Sequence, residues 1–187
     1  MDDSLAPEAV LPLLRGRFGR ERYVYAEVTA STQRLLGAGD PEGAVAAAEE
    51  QTEGRGRLGR EWHAPRGSSV LCSVLLRPSV ALERWPELSL VAGQAVADAV
   101  ASAGLEPTVK HPNDVLVDGR KVAGILAEAR DGFVVLGIGV NVTQTAGELP
   151  EGATSLRVER AELGRPQLLA EILARLEPAY EGWLRGA

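Results

Sequence analysis

Cysteine occurs once in the 187 residues, and histidine and lysine twice each. One cysteine cannot close an intramolecular disulfide, and Cys72 stands inside the apolar run 70–76, where a small core residue is expected rather than a nucleophile. His63 and His111 have no third partner at zinc-like spacing, which excludes a zinc site held by the protein. No apolar run reaches the length that spans a bilayer, and the acidic start Met1-Asp2-Asp3 carries no secretory pattern. A net charge of −6 argues against a surface that coats nucleic acid. The composition therefore predicts a cytoplasmic protein that engages neither nucleic acid nor membrane. Its 45% apolar content suffices for one sizeable core.

Lysine is the most telling of the scarce residues. The chain has twenty basic residues, of which only Lys110 and Lys121 are lysines, and both fall in one short stretch. A compact ammonium serves a tight cluster of oxygens in a way that a planar guanidinium does not. Lys110 and Lys121 are accordingly expected to carry chemistry.

The apolar pattern supplies a coarse map. Residues 8–14 read as a short helix interrupted near Pro12. Strands are expected at 23–28, 44–49 and 69–76, from their β-branched and apolar content. Ser31 and Thr32 can cap a short helix starting near Gln33. Residues 88–103 have helical periodicity, with Leu90, Val91, Ala95, Val96, Ala99 and Val100 on the apolar face and Gly104 as the stop. Asp118-Gly119 and Asp131-Gly132 read as turns joining strands at 115–117, 121–128 and 133–142. Pro166 opens a last helix to about Leu184, which Pro178 is expected to kink or split. Early helix–strand alternation followed by hairpins predicts an α+β fold, a mixed and largely antiparallel sheet flanked by helices.

One loop concentrates positive charge. Gly54-Arg55-Gly56-Arg57-Leu58-Gly59-Arg60 interleaves three glycines with three arginines. Glycine lets backbone N–H groups approach an anion, and arginine grips phosphate bidentately. The spacing fits neither the P-loop nor the dinucleotide fingerprint. By composition alone the loop fits a phosphate site, a solvated loop or an RNA-binding patch equally well.

Taken in order, the motifs resemble those of the biotin protein ligases. Ser31-Thr32 matches the early Ser-Thr motif of that family. The glycine-arginine loop followed by Trp62 matches its nucleotide and biotin loop. Lys110-His111-Pro112-Asn113-Asp114, Lys121-Val122-Ala123-Gly124-Ile125-Leu126 and Gly137-Ile138-Gly139-Val140-Asn141 match the next three. The chain departs from the pattern at Ala30, where an aspartate is usual, at His111, where a tryptophan is usual, and at Glu53, where a small residue is common. The resemblance implies a single catalytic domain over residues 1–187, with no N-terminal helix-turn-helix and the C-terminal β-barrel absent or truncated.

The resemblance also implies a reaction and roles. The activity would be that of a biotin–[acetyl-CoA-carboxylase] ligase, which forms biotinyl-5′-adenylate from biotin and ATP and passes biotin to a lysine of a biotin carboxyl carrier protein. Ser31, Thr32, Gln33, Gln51, Gly54, Arg55, Lys121, Gly124 and Gly137 would bind biotin. Arg55, Arg57, Arg60, Trp62, Asn113, Lys121 and Asn141 would bind ATP or the adenylate. Lys121, Arg57 and Asp114 would act in catalysis, Asp114 either orienting the acceptor amine or assisting magnesium. Mg2+ would arrive with ATP, with no metal held by the protein itself. Two other readings stay open: a lipoate or octanoate ligase or transferase of the same fold, and a non-catalytic RNA-binding module using the arginine-glycine loop. Monomer and homodimer are both compatible with the sequence.

Overall fold

The structure is a computed structural model and describes residues 3–186. Seven strands form one open sheet: β1 (Tyr23–Thr29), β2 (Val45–Gln51), β3 (Ser69–Leu76), β4 (Pro107–Lys110), β5 (Asp114–Val117), β6 (Arg120–Arg130) and β7 (Phe133–Asn141). Their order is β1-β2-β3-β7-β6-β5-β4. β1 and β2 pair in parallel, and every other neighbouring pair is antiparallel. The sheet is thus mixed and largely antiparallel, as expected.

Helices α1 (Pro7–Val10), α2 (Leu88–Ala101) and α3 (Arg165–Arg185) complete the α+β fold. The main core joins Val70, Cys72, Val74 and Leu76 of β3 and Leu136, Ile138 and Val140 of β7 with Ala92 and Val96 of α2 and Leu169 and Leu173 of α3. Alternation along each strand sends Leu75, Phe133 and Val135 to a smaller cluster with Leu36 and Ala46. One face of the sheet is therefore closed by helices, and the other is left to carry function. Cys72 is fully buried, and burial pushes its thiol up to about 12, as a core cysteine requires. Among the described residues no helix is long and apolar enough to cross a membrane.

Several local expectations change. Leu90 was placed on the apolar face of α2, yet it is 46% exposed, and Leu88, Ala92, Ala95, Val96, Ala99 and Val100 form the buried face. Pro178 neither splits nor ends α3, which runs unbroken through it. Ten residues of α3 are buried, and that packing outweighs one lost backbone bond. Ser31 stands before a 3-10 turn, Thr32–Leu35, but its side chain makes no capping hydrogen bond. The Asp118-Gly119 turn forms as the dipeptide predicts, with positive φ at both residues (48° and 75°).

A buried ion cluster ties the N-terminal segment and α3 to β2. Glu49 Oε1 accepts the Leu5 N–H at 2.7 Å and the Ser4 hydroxyl at 3.1 Å. Arg165 Nη1 donates to Glu49 Oε2 at 2.7 Å, and its Nε donates to Asp3 at 3.1 Å. Burial alone would raise the Glu49 carboxyl, but these hydrogen bonds and the Arg165 charge overcome it and hold the group below its ordinary 4.5. A depressed folded-state value means that the contribution is full above 4.5 and is lost as pH falls through the folded-state value. Glu49→Gln should cost on the order of 3 kcal/mol at neutral pH, because it removes the buried one of the two carboxylates paired with the Arg165 guanidinium. Thermal unfolding at a series of pH values checks this, and the gap to the unsubstituted chain should close as pH drops below 4.5.

Candidate active site

Three glycines make the floor of the site. Gly124 of β6 lies opposite Gly139 of β7, and Gly137 of β7 lies between Leu126 of β6 and Ser73 of β3. Residues 137 and 139 share the face away from the helices, so β7 presents no side chain there. Other groups fill the space. A Cβ on Gly139 would stand 2.6 Å from the Trp62 ring, and one on Gly137 would stand 2.6 Å from Gln33 Nε2. One on Gly124 would meet both Trp62 and the Lys121 ammonium at 3.1 Å. The missing side chains let ring, amide and ammonium lie directly on the sheet.

Above this floor is a cavity of about 690 Å³, within the range of small-molecule sites. One end is made by the β1–β2 side of the sheet. Gln51 stands at the end of β2, and Thr32 follows β1; the Thr32 N–H donates to Gln51 Oε1 at 2.7 Å. Ser31 and Gln33 line the same end. Gln33 Nε2 donates to Leu126 O at 2.8 Å, while its Oε1 is buried without a partner. An orphaned buried acceptor is costly unless a ligand supplies a donor.

The charged end lies across β3 and β7 and further along β6. Lys121 Nζ is 2.7 Å from Asp114 Oδ1 and 5.7 Å from the centroid of the Trp62 ring. Its backbone is held on both sides: its N–H donates to Gly152 O and its carbonyl accepts from the Thr154 N–H, each at 2.8 Å. Asn113 is fixed by a 2.9 Å bond from Nδ2 to Ile125 O, and its Oδ1 accepts from Arg57 Nη1 at 3.3 Å. A register shift between Val115 and Leu116 separates Asp114 from the regular part of the β5–β6 ladder.

The glycine-arginine loop closes over the cavity as a small hook. Gly56 N–H donates to Arg60 O at 2.7 Å, and Trp62 N–H donates to Gly54 O at 2.9 Å. Leu58 and Gly59 have φ of 57° and 74°, a bend that glycine eases. Arg55 reaches Glu128 at 2.7 Å, and Arg60 Nε donates to Arg57 O at 3.3 Å. Trp62 Nε1 is buried without a partner, a second orphan in the lining.

Thr32, Gln33, Gln51, Arg55, Arg57, Arg60, Trp62, Asn113, Lys121, Gly124, Gly137 and Asn141, gathered from across the sequence, line this cavity with Ser31. Gly54 and Asp114 sit one layer behind: Gly54 is packed against Trp62 and Gln51, and Asp114 acts on the lining through Lys121. Lys110, the other lysine expected to carry chemistry, stays outside the cavity, exposed at the end of β4. Sequence reasoning missed three contributors. Gly147 to Pro150 and Ala153 line the charged end. Gln144, buried, donates to Asn141 Oδ1 at 3.1 Å while Asn141 Nδ2 donates to Thr154 O at 3.0 Å, which fixes that amide. Ser73 is fully buried, 2.8 Å from Thr32 Oγ1. Its signal was available: a serine in the middle of the apolar stretch 70–76, on the face away from the helices.

This open, largely antiparallel sheet flanked by helices matches the fold of solved biotin protein ligases. The biotin protein ligase of Aquifex aeolicus solved with biotin and ATP superposes with a TM-score of 0.78 at 31% identity, over 88% of this chain and 72% of that one. The chain belongs to the biotin/lipoate A/B protein ligase family, whose sequence model matches residues 25–144. Among curated relatives, the bifunctional ligase/repressor BirA of Bacillus subtilis is 36% identical over 88% of this chain and 55% of its own length. The biotin–[acetyl-CoA-carboxylase] ligase of Mycobacterium tuberculosis is 43% identical over 80% of this chain and 59% of its own length. This chain thus spans little more than half the length of these relatives.

The floor gives a direct test. Gly139→Ala should dislodge the Trp62 ring at a cost of about 1–3 kcal/mol. With Trp85 and Trp183 replaced by phenylalanine, Trp62 emission should shift to the red and thermal unfolding should fall. Unchanged emission would mean that the ring does not rest on the glycines.

Proposed function

We propose that this chain activates biotin with ATP and transfers it to a lysine of a biotin carboxyl carrier protein. In the first step a biotin carboxylate oxygen bonds to the α-phosphorus of ATP and pyrophosphate leaves, giving biotinyl-5′-adenylate. In the second the neutral acceptor amine attacks the acyl carbon and AMP leaves. The observation that carries this reading is Lys121, whose ammonium stands in the cavity beside Asp114 at 2.7 Å, beneath a loop of three arginines.

The chemistry asks for charge stabilisation rather than a covalent intermediate. Carboxylate and phosphate repel one another as they approach, and a fixed ammonium between them offsets that repulsion and stabilises charge on the bridging oxygen. Lys121 suits this task because its backbone is clamped to residues 152 and 154, so the charge costs little reorganisation. Arg55, Arg57 and Arg60 bind phosphate and close the loop, shielding the anhydride from water. Trp62 covers the adenine ring, and Asn113 and Asn141 offer amides to the nucleotide. Mg2+ comes with the triphosphate and is held by phosphate oxygens and water. Among the described residues no three His, Cys, Asp or Glu side chains group as a metal site. Asp114 directs the Lys121 ammonium before substrate arrives.

The polar end favours biotin over lipoate. A ureido ring has one acceptor and two N–H donors, and Ser31, Thr32, Gln33 and Gln51 answer it with both kinds of group. A dithiolane would leave these groups unpaired.

Calorimetric titration with biotin, then with ATP, tests the reading; no biotin binding even in the presence of ATP would overturn it. Lys121→Arg should keep the fold and lower biotin-dependent pyrophosphate release by at least about 100-fold, since a wider cation cannot occupy the same point. Near-normal release from that variant would remove Lys121 from the mechanism.

A further inference from the structure

Ser73 ends a short chain of buried hydrogen bonds whose direction is set by the Thr32 N–H. The Thr32 N–H lies 2.7 Å from Gln51 Oε1, and a backbone N–H can only donate, so the amide oxygen faces Thr32. Thr32 Oγ1 is 3.1 Å from that same oxygen, so the single hydroxyl proton of Thr32 is given to Gln51. The 2.8 Å contact between Thr32 Oγ1 and Ser73 Oγ must then be made with the proton of Ser73. The order is fixed from Ser73 to Thr32 to Gln51. Two consequences face the cavity. Thr32 Oγ1 keeps one lone pair and has no proton to offer, so it can only accept. Gln51, its oxygen committed, has its N–H groups left to donate.

We infer that Ser73 is a specificity-determining positioning residue, which pins the Thr32 hydroxyl in its accepting role, beside a Gln51 amide already oriented by the Thr32 N–H, and so selects a ring bearing an N–H beside a carbonyl. The inference rests on the biotin reading and deepens it. Ser73 is fully buried beside Gly137 and acts through Thr32 rather than on the ligand. With its proton in place, a ring oxygen where the urea has N–H meets the lone pair of Thr32 and is repelled. Without that proton, the Thr32 hydroxyl can turn between Gln51 and the cavity and can donate as well as accept. The loss is therefore one of discrimination more than of affinity.

The test compares biotin with its cyclic carbamate analogue, in which one ring N–H is replaced by oxygen at nearly constant shape. The unsubstituted chain should prefer biotin on the order of 100-fold, because a site built for an N–H rejects a partner lacking it. Ser73→Ala should weaken biotin about tenfold and narrow the preference to about tenfold or less, while ATP binds as before. Ser73→Cys, a weaker donor of similar size, should fall between the two and decides the matter if the alanine variant does not fold. A preference unchanged in the folded variants overturns the role of Ser73 alone. Failure of the unsubstituted chain to bind biotin at all would instead overturn the biotin reading beneath it.

Discussion

Gly124 faces Gly139 across β6 and β7, and the neighbouring position on that face of β7 is Gly137. A sheet in this register normally presents a side chain at each of these points, and the face would then be as full as the one beneath the helices. Removing three side chains makes a shallow trough without bending a strand or breaking the ladder. β7 pairs continuously with β3 on one side and β6 on the other, so the floor has the stiffness of the sheet itself. A ligand group placed on it meets a fixed surface, and the depth of the cavity follows from this one omission. Any Cβ added there must displace Trp62, Gln33 or Lys121 before it affects a substrate.

The two ends of the trough differ in physical character. At the β2 end neutral groups are locked to one another, and direction rather than charge does the selecting. At the β6 end an ammonium, a carboxylate and a set of guanidinium groups supply charge, and the lysine has its backbone held on both sides. Two of the three arginines of the loop pair with groups that do not belong to it: Arg55 with Glu128, Arg57 with Asn113. These contacts hold the loop down by exchangeable bonds, which an anion can replace at little net cost. Rigid recognition at one end and replaceable contacts at the other suit a site that must fix a small ring yet admit a nucleotide and release a product.

Much of this was legible in the sequence, for identifiable reasons. The strand at 69–76 announced itself by its mostly apolar content, and the Asp-Gly hairpin by a dipeptide with one favoured geometry. Short β4 left no such mark, because four residues with alternating burial give too little period to recognise. Leu90 misled because a helix lying on a sheet and beside another helix buries small residues, so alanines 92, 95 and 99 mark its inner face better than the leucine does. The glycine loop and Lys121 stood out by composition. The groups that steady them did not: Ser73 and the segment 147–153 act through contacts distant in sequence, Gln144 bonds Asn141 beyond the end of the strand, and each residue taken alone resembles an ordinary turn or core position. Asp114 and Gly54 were named, yet they support the lining rather than form it.

The choice of arginine over lysine almost everywhere has a consequence for the surface as a reagent. Acylating agents attack amines and leave guanidinium groups untouched, and of the two lysine side chains one is engaged by Asp114 while the other, at residue 110, points to water at the end of β4. To an active ester, the described surface therefore offers a single free side-chain amine. A dye or tether carried by such an ester would settle at the rim of the sheet, away from the trough. With the α-amine blocked, the protein could be marked at one known place without a cysteine being introduced.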